Sequence, residues 1–357
     1  MSVFRLAMLP ASEGDCLILS YGPDENGLRH VVIDGGRKAT WPLLRAHLAR
    51  IAGRGEAVEL LLLSHIDADH IDGLLELAEE QDPPLVPKAV WYNGFDQLKA
   101  LTTPGAPQPL GFPAADAYSK ALAAKGWPLN AEFAGKAIVV EQRRAPFAFA
   151  GLELTLLSPD RAKLEKLRTE WSKWREPRAT ADPPAAGAGL QPLGKRTMPM
   201  TLDVEALMAP SPNDTTAPNG SSIALIAEYD GRRVLLAADA HPDVLLASLT
   251  ALGGAARVPL DLVKLPHHGS RANVTREVLE AVDCRRFAVS SSGAVFGHPD
   301  PEAISRVLKF AGRGHKTLFF NYASERTIPW HDPALEAEYD YDCVYPSTAG
   351  EPLVIDI

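Results

Sequence analysis

Short apolar runs, each closed by a turn residue, recur along the chain and predict β-strands. FRLAML (4–9) and the apolar part of GDCLILSYG come first, then HVVIDGG (30–36) and ELLLLS (59–64). In the second half, SSIALIAEY (221–229) and RRVLLAAD (232–239) flank Asp230–Gly231, a two-residue hairpin signal. LDLVKLP (260–266), RRFAVSSS (285–292) and KTLFFNY (316–322) predict three later strands. Helical patterns lie between strands: Ile71, Leu74, Leu75 and Ala78 fall at helical spacing, and TREVLEAV and PEAISRVLKF read likewise. Residues 160–178 predict an amphipathic helix with Leu164, Leu167, Trp171 and Trp174 on one face. Its other face, rich in lysine and arginine, is either simply solvated or a basic wall beside an anionic substrate. The Ala-, Pro- and Gly-rich stretch after it buries too little apolar area to order itself, so 180–197 predicts a loop. Residues 101–118 predict another surface excursion. The expected organisation is one domain over 1–357, built of two halves that each give a sheet, with insertions at about 101–118 and 160–215.

Composition narrows the class. A chain of 357 residues, 46% hydrophobic and 23% charged, has the make-up of a soluble globular protein. No apolar stretch approaches the ~20 residues that cross a bilayer. The first residues lack the basic head and long apolar stretch of a signal peptide. Cys16, Cys284 and Cys343 follow no motif spacing and are expected to be reduced core residues. The expectation is a cytoplasmic protein without membrane association. A net charge of −9 argues against a surface coated for nucleic acid, although it leaves room for a local basic groove.

The candidate chemistry sits where apolar runs end. His65, Asp67, Asp69 and His70 follow a strand and precede a helix, which puts them in a tight loop able to converge on one point. Imidazoles and carboxylates suit zinc, manganese or iron. The competing reading is a helix N-terminus with capping aspartates. Asp34 ends a strand in IDGG, Asp239 ends one in LLAADA, and His267 and His268 end a third in KLPHHGS. Acids and imidazoles at several strand ends are what a shared metal site on a sheet edge requires.

The order IDGG, SHIDADHIDG, LLAADA, LPHHGS resembles the metallo-β-lactamase fold superfamily, closest to the hydrolase domain of bacterial competence (DNA-uptake) proteins. GDCLIL, NGSSIALI and SSGAVFGHP extend the resemblance over most of the chain. It implies an α/β fold, a four-layer αβ/βα sandwich, with one or two divalent ions, zinc or manganese, at the edge of paired sheets. It implies that His65 and Asp67 hold the first ion, that Asp69, His70 and His268 hold the second, and that Asp239 bridges both. Asp34 then orients a ligating imidazole. Two departures stand out. Asp67 replaces the second histidine of the usual H-x-H-x-D-H, and no histidine occurs between His70 and His241, where the superfamily commonly supplies another ligand. The first ion is therefore expected to have the poorer protein shell.

The expected activity is hydrolysis by metal-activated water, most readily of phosphodiesters, as a phosphodiesterase or nuclease. Asp69 or Asp239 would orient the attacking water. His267, Asp69 and Asp239 form the catalytic set, with His267 meeting the substrate oxyanion or leaving oxygen. His298 in FGHPD, Ser270 and Arg271 are candidate substrate contacts, and His241 is expected to cap the next turn. Two alternatives stay open: an ester, lactone or thioester hydrolase on the same fold, and a catalytically weak metal-binding partner subunit. The expected partners are a phosphodiester substrate, with nucleic acid included, and in the last case another protein.

Overall fold

A computed structural model describes residues 2–99, 112–142, 145–175, 197–199 and 201–357. The predicted strands form as β1 (Val3–Met8), β2 (Leu17–Gly22), β3 (Arg29–Ile33), β4 (Ala57–Leu62) and β5 (Val90–Trp91) in the first half. They continue as β6 (Phe147–Phe149), β7 (Leu152–Ser158), β8 (Ala224–Tyr229), β9 (Arg232–Leu236), β10 (Val258–Pro259) and β11 (Leu262–Lys264). The last are β12 (Val282–Asp283), β13 (Arg286–Val289), β14 (Lys316–Phe320), β15 (Tyr341–Val344) and β16 (Leu353–Asp356). Among the described residues, one large sheet runs β16-β1-β2-β3-β4-β5, the other runs β15-β14-β13-β11-β9-β8-β7-β6, and β10 pairs with β12 in a small two-stranded sheet. Strand β16 crosses back to pair antiparallel with β1, so the final strand closes the sheet that the first one opens.

Period-two alternation explains the layering. Leu6, Leu19, Val31 and Leu62 of one sheet meet Leu225, Val234, Leu236 and Leu262 of the other in a shared apolar layer. The opposite faces carry Ile18, Val32 and Leu61 against helices of the first half, and Ile226, Leu235 and Val263 against helices of the second. Helices, sheet, sheet and helices give the four-layer αβ/βα sandwich of metallo-β-lactamase type that the motif order implied. Among the described residues, no helix is long and apolar enough to cross a membrane.

One expectation needs correction. Residues 112–118 are no surface excursion: they open a helix, Phe112–Lys125, that buries Phe112, Ala115 and Tyr118. Alanines fill much of that helix, which diluted its apolar period; residues 101–111 lie outside the described set. Of the helix expected over 160–178, Arg161–Arg175 forms as a helix with Leu164, Leu167 and Trp171 buried, and residues 176–178 lie outside the described set. Its basic face is tied down in part, Lys163 to Asp243 (2.7 Å) and Arg175 to Asp116 (2.9 Å). The loop expected over 180–197 falls, but for residue 197, outside the described residues.

Candidate metal centre

Strand register delivers the polar residues to one edge. Strands β9, β11 and β13 are parallel, with Leu236 opposite Lys264 and Lys264 opposite Ala288. Three residues beyond the first pair stand Asp239 and His267, at the same height. In the other sheet Ile33 lies opposite Leu62, so Asp34 and the loop from Ser64 onward leave at that edge too. The turns are tight. Asp34 (φ 58°), Ala238 (φ 46°), His267 (φ 47°) and His268 (φ 54°) all lie in the left-handed region, which non-glycine residues seldom adopt. Strain of this kind persists only where the surroundings fix it, and it clusters at functional sites. Gly35 and Gly73 meet face to face: a Cβ on Gly35 would fall 2.4 Å from Leu74 N, and one on Gly73 2.0 Å from Gly35 O.

The hydrogen bonds assign the imidazole tautomers. The Ser64 hydroxyl donates to Asp34 Oδ2 (2.6 Å), so it accepts from His65 Nδ1 (3.0 Å). His70 Nδ1 donates to Asp34 Oδ2 (2.8 Å), and His268 Nδ1 donates to the Ser290 carbonyl (2.9 Å). Each ring therefore keeps a bare lone pair on Nε2 when neutral. Those lone pairs converge. His70 Nε2 lies 3.2 Å from His268 Nε2, with neither ring having a proton left for that contact. Asp239 completes the crowd, its carboxylate 3.8 Å from His65 Nε2, 3.6 Å from His70 Nε2 and 3.5 Å from His268 Nε2.

The donor atoms of His65, His70 and Asp239 lie within 4.8 Å of one another, as do those of Asp69, His70 and His268. Asp69 Oδ2 is 3.8 Å from His268 Nε2, and Asp67 Oδ2 is 3.7 Å from His65 Nε2. His65 Nε2 and Asp239 Oδ1 are buried without a hydrogen-bond partner among the described residues. A buried set of acceptors with no proton between them is costly unless a cation joins them. These residues fit one or two divalent ions. They do not fit the capping alternative: Asp67 occupies the N-cap of helix Ala68–Glu79, yet its side chain makes no capping bond.

The electrostatics show the same demand for positive charge, met by a proton where no cation is bound. Burial alone would raise Asp239 and Asp69, but the imidazoles outweigh it and hold both carboxyls below their ordinary range, Asp239 well below. Burial alone would lower His70, but the carboxylates of Asp239 and Asp34 outweigh it and push the ring well above its ordinary value.

The remaining expected residues divide. His267 stands beside the cluster without joining a donor triad: Nε2 is 3.6 Å from Asp239, and Nδ1 is 2.9 Å from Asn273 Oδ1. His298 packs its ring 5.2 Å from that of His267. Ser270 and Arg271 are not turned to the centre. The Ser270 hydroxyl accepts from Ala272 N (3.2 Å), and the Arg271 guanidinium pairs with Glu302 (3.1 Å). His241 is an N-cap by position only; its ring makes no capping bond and lies buried over Gly220, 3.6 Å from Asp214.

Three participants carried no motif signal strong enough to find. Asp214 accepts from Thr216 N (2.9 Å) and Asn219 Nδ2 (2.7 Å), and lies 3.4 Å from His267 Nδ1. Asp15 and Lys264 form a fully buried ion pair at 2.7 Å beneath His268. A lysine interrupting the apolar run LDLVKLP was the available clue.

Over part of its length the chain is similar to one class of proteins, the metallo-beta-lactamase superfamily. The family model of that description matches residues 25–121, which span β3, β4 and the His65–His70 loop. No curated protein matches the chain. Among solved structures the chain is similar to CmlA, a diiron beta-hydroxylase from Streptomyces venezuelae, at 10% identity and a TM-score of 0.41. That match covers 100% of this chain and 54% of the other. It is also similar to a long form RNase Z from yeast, at 10% identity and a TM-score of 0.37, over 99% of this chain and 50% of that one. The chain thus spans about half the length of these structures.

Proposed function

We propose that the chain is a metal-dependent hydrolase of phosphodiesters, nucleic acid included, working with one or two zinc or manganese ions. Ions held by His65, Asp67, Asp69, His70, Asp239 and His268 would supply water acidified to near neutral pH and offset charge on phosphoryl oxygens. One observation carries the choice of substrate. Beside the donor cluster stand two imidazoles, His267 and His298, with rings 5.2 Å apart, which suits an electrophile bearing several anionic oxygens. Asn273 and Asp214 both meet His267 Nδ1, at 2.9 Å and 3.4 Å, which leaves Nε2 facing the cluster. Asp69 and Asp239 present carboxylate oxygens that align the attacking water. His267 meets the oxyanion or leaving oxygen, and His298 a further phosphoryl oxygen. The motif order supports a place beside the hydrolase domain of competence proteins.

The test sets bis-p-nitrophenyl phosphate and a single-stranded oligonucleotide against a lactone and a thioester, each with Mn²⁺ or Zn²⁺. Phosphodiester turnover at least tenfold above the others is expected, with loss in EDTA and recovery on adding metal. Faster lactone or thioester turnover would overturn the substrate assignment. Absence of both bound metal and turnover would favour a partner subunit.

A further inference from the structure

Two imidazoles of the centre, His70 and His268, each have a buried carboxylate on the Nδ1 side. For His70 it is Asp34, bonded at 2.8 Å. For His268 it is Asp15, whose Oδ1 lies 3.6 Å from Nδ1 while the Ser290 carbonyl takes the bond itself. Asp15 Oδ1 has no hydrogen-bond partner among the described residues. Its other oxygen, Oδ2, accepts from Lys264 Nζ at 2.7 Å. Both side chains are shut off from solvent, at 1% and 0% exposure, so this attraction is not screened as a surface pair would be. The loop is firmly seated: Asp15 O accepts from Gly36 N (2.8 Å), and a Cβ on Gly14 would fall 1.7 Å from Asp69 O.

The charges follow a pattern. Asp15, Asp34, Asp69 and Asp239 are buried, Asp67 is partly exposed, and Lys264 is the buried ammonium that faces them. Among these six groups five carboxylates outnumber one ammonium, a net negative charge that bound cations would offset. Lys264 therefore stands in a position to weaken cation binding, and Asp15 to strengthen it.

We infer that Asp15 and Lys264 are an opposed pair of positioning residues that sets the cation affinity of the centre through His268. Asp15 raises the donor strength of His268 Nε2 from the far side of the ring, and Lys264 holds Asp15 and offsets part of its charge. The inference rests on the metal reading of the site and gives a role to two residues outside the six donors named there, although the donor atoms of Asp15, Asp239 and His268 also lie within 4.8 Å of one another.

The experiment is calorimetric titration of EDTA-stripped protein with MnCl₂, on wild type, Asp15→Asn, Lys264→Met and the double variant. Asp15→Asn is expected to weaken binding about 10–100-fold. Lys264→Met is expected to tighten it severalfold, and the double variant to fall between the two. Opposite signs are the signature. A pair that served packing alone would shift both single variants the same way or leave both at the wild-type value, and either result overturns the inference. A wild type that binds no metal instead overturns the reading of the site itself. If a single variant does not fold, a Mn²⁺-loaded wild-type crystal decides. Asp15 is expected still between Lys264 and His268 Nδ1; a side chain turned away, or bound directly to the ion, refutes the assignment.

Discussion

The two halves of the donor cluster are built unequally. Around His70 and His268 the chain supplies Asp69 and Asp239, both buried, and backs each ring with a carboxylate, Asp34 or Asp15. Around His65 it supplies Asp239 and Asp67, and the Asp67 side chain is 34% exposed. The difference teaches that the donors around His70 and His268 are all buried, whereas those around His65 include one that faces solvent. An ion held on the solvent-facing side would keep room for water, the arrangement of a catalytic rather than a structural metal site.

Removing the shared element should break the comparison altogether. Asp239→Ala takes a ligand from both halves, so hydrolysis should fall by about a thousandfold or more, with both ions lost by elemental analysis. Parental activity in this variant would sink the site as described. Asp69→Ala should abolish turnover yet spare one equivalent of metal in the His65 half, and the metal-free protein should melt within a few degrees of wild type, because a ligand rather than packing is removed. Asp67→Ala tests the His65 half: a loss of about 10–100-fold in affinity for one ion, restored by excess Mn²⁺, would match a solvent-facing ligand. An unaltered affinity would show that Asp67 serves neither ion.

The smallest effect separates the centre from the rest of the molecule. His47 lies on helix Trp41–Gly53, away from the donor residues, where burial first and Arg50 second lower its pKa to about 4. The unfolded chain, near pH 6.5 for histidine, binds more protons between those values. Stability from this residue is thus complete above pH 6.5 and is lost as the pH falls toward 4. Urea melts of His47→Leu in EDTA should show a shallower decline over that window than wild type; equal slopes would contradict it.

The candidate donors were legible because they cluster at the ends of apolar runs, where polar groups are expensive without a purpose. His65, Asp67, Asp69, His70, Asp239 and His268 announce themselves in this way. Asp214 does not: it stands alone in SPNDTT, and only the fold brings it to His267. Asp15 and Lys264 are separated by 248 intervening positions, so neither signals the other along the chain. His241 misled because Ala-His-Pro reads as a helix start, and the ring's burial depends on the bare α-carbon of Gly220. The strands were readable from alternation and turn residues. The Phe112–Lys125 helix was not, because alanines spread around it dilute the buried face of Phe112, Ala115, Tyr118 and Leu122.

The two glycines that touch at Gly35 and Gly73 have a consequence beyond packing. One follows Asp34 and the other follows His70 by three residues, so the contact works as a gauge block between the strand end and the ligand helix. A methyl group on either would force the two apart by an ångström or more. Ion preference in this scaffold is therefore open to adjustment from positions that never touch an ion.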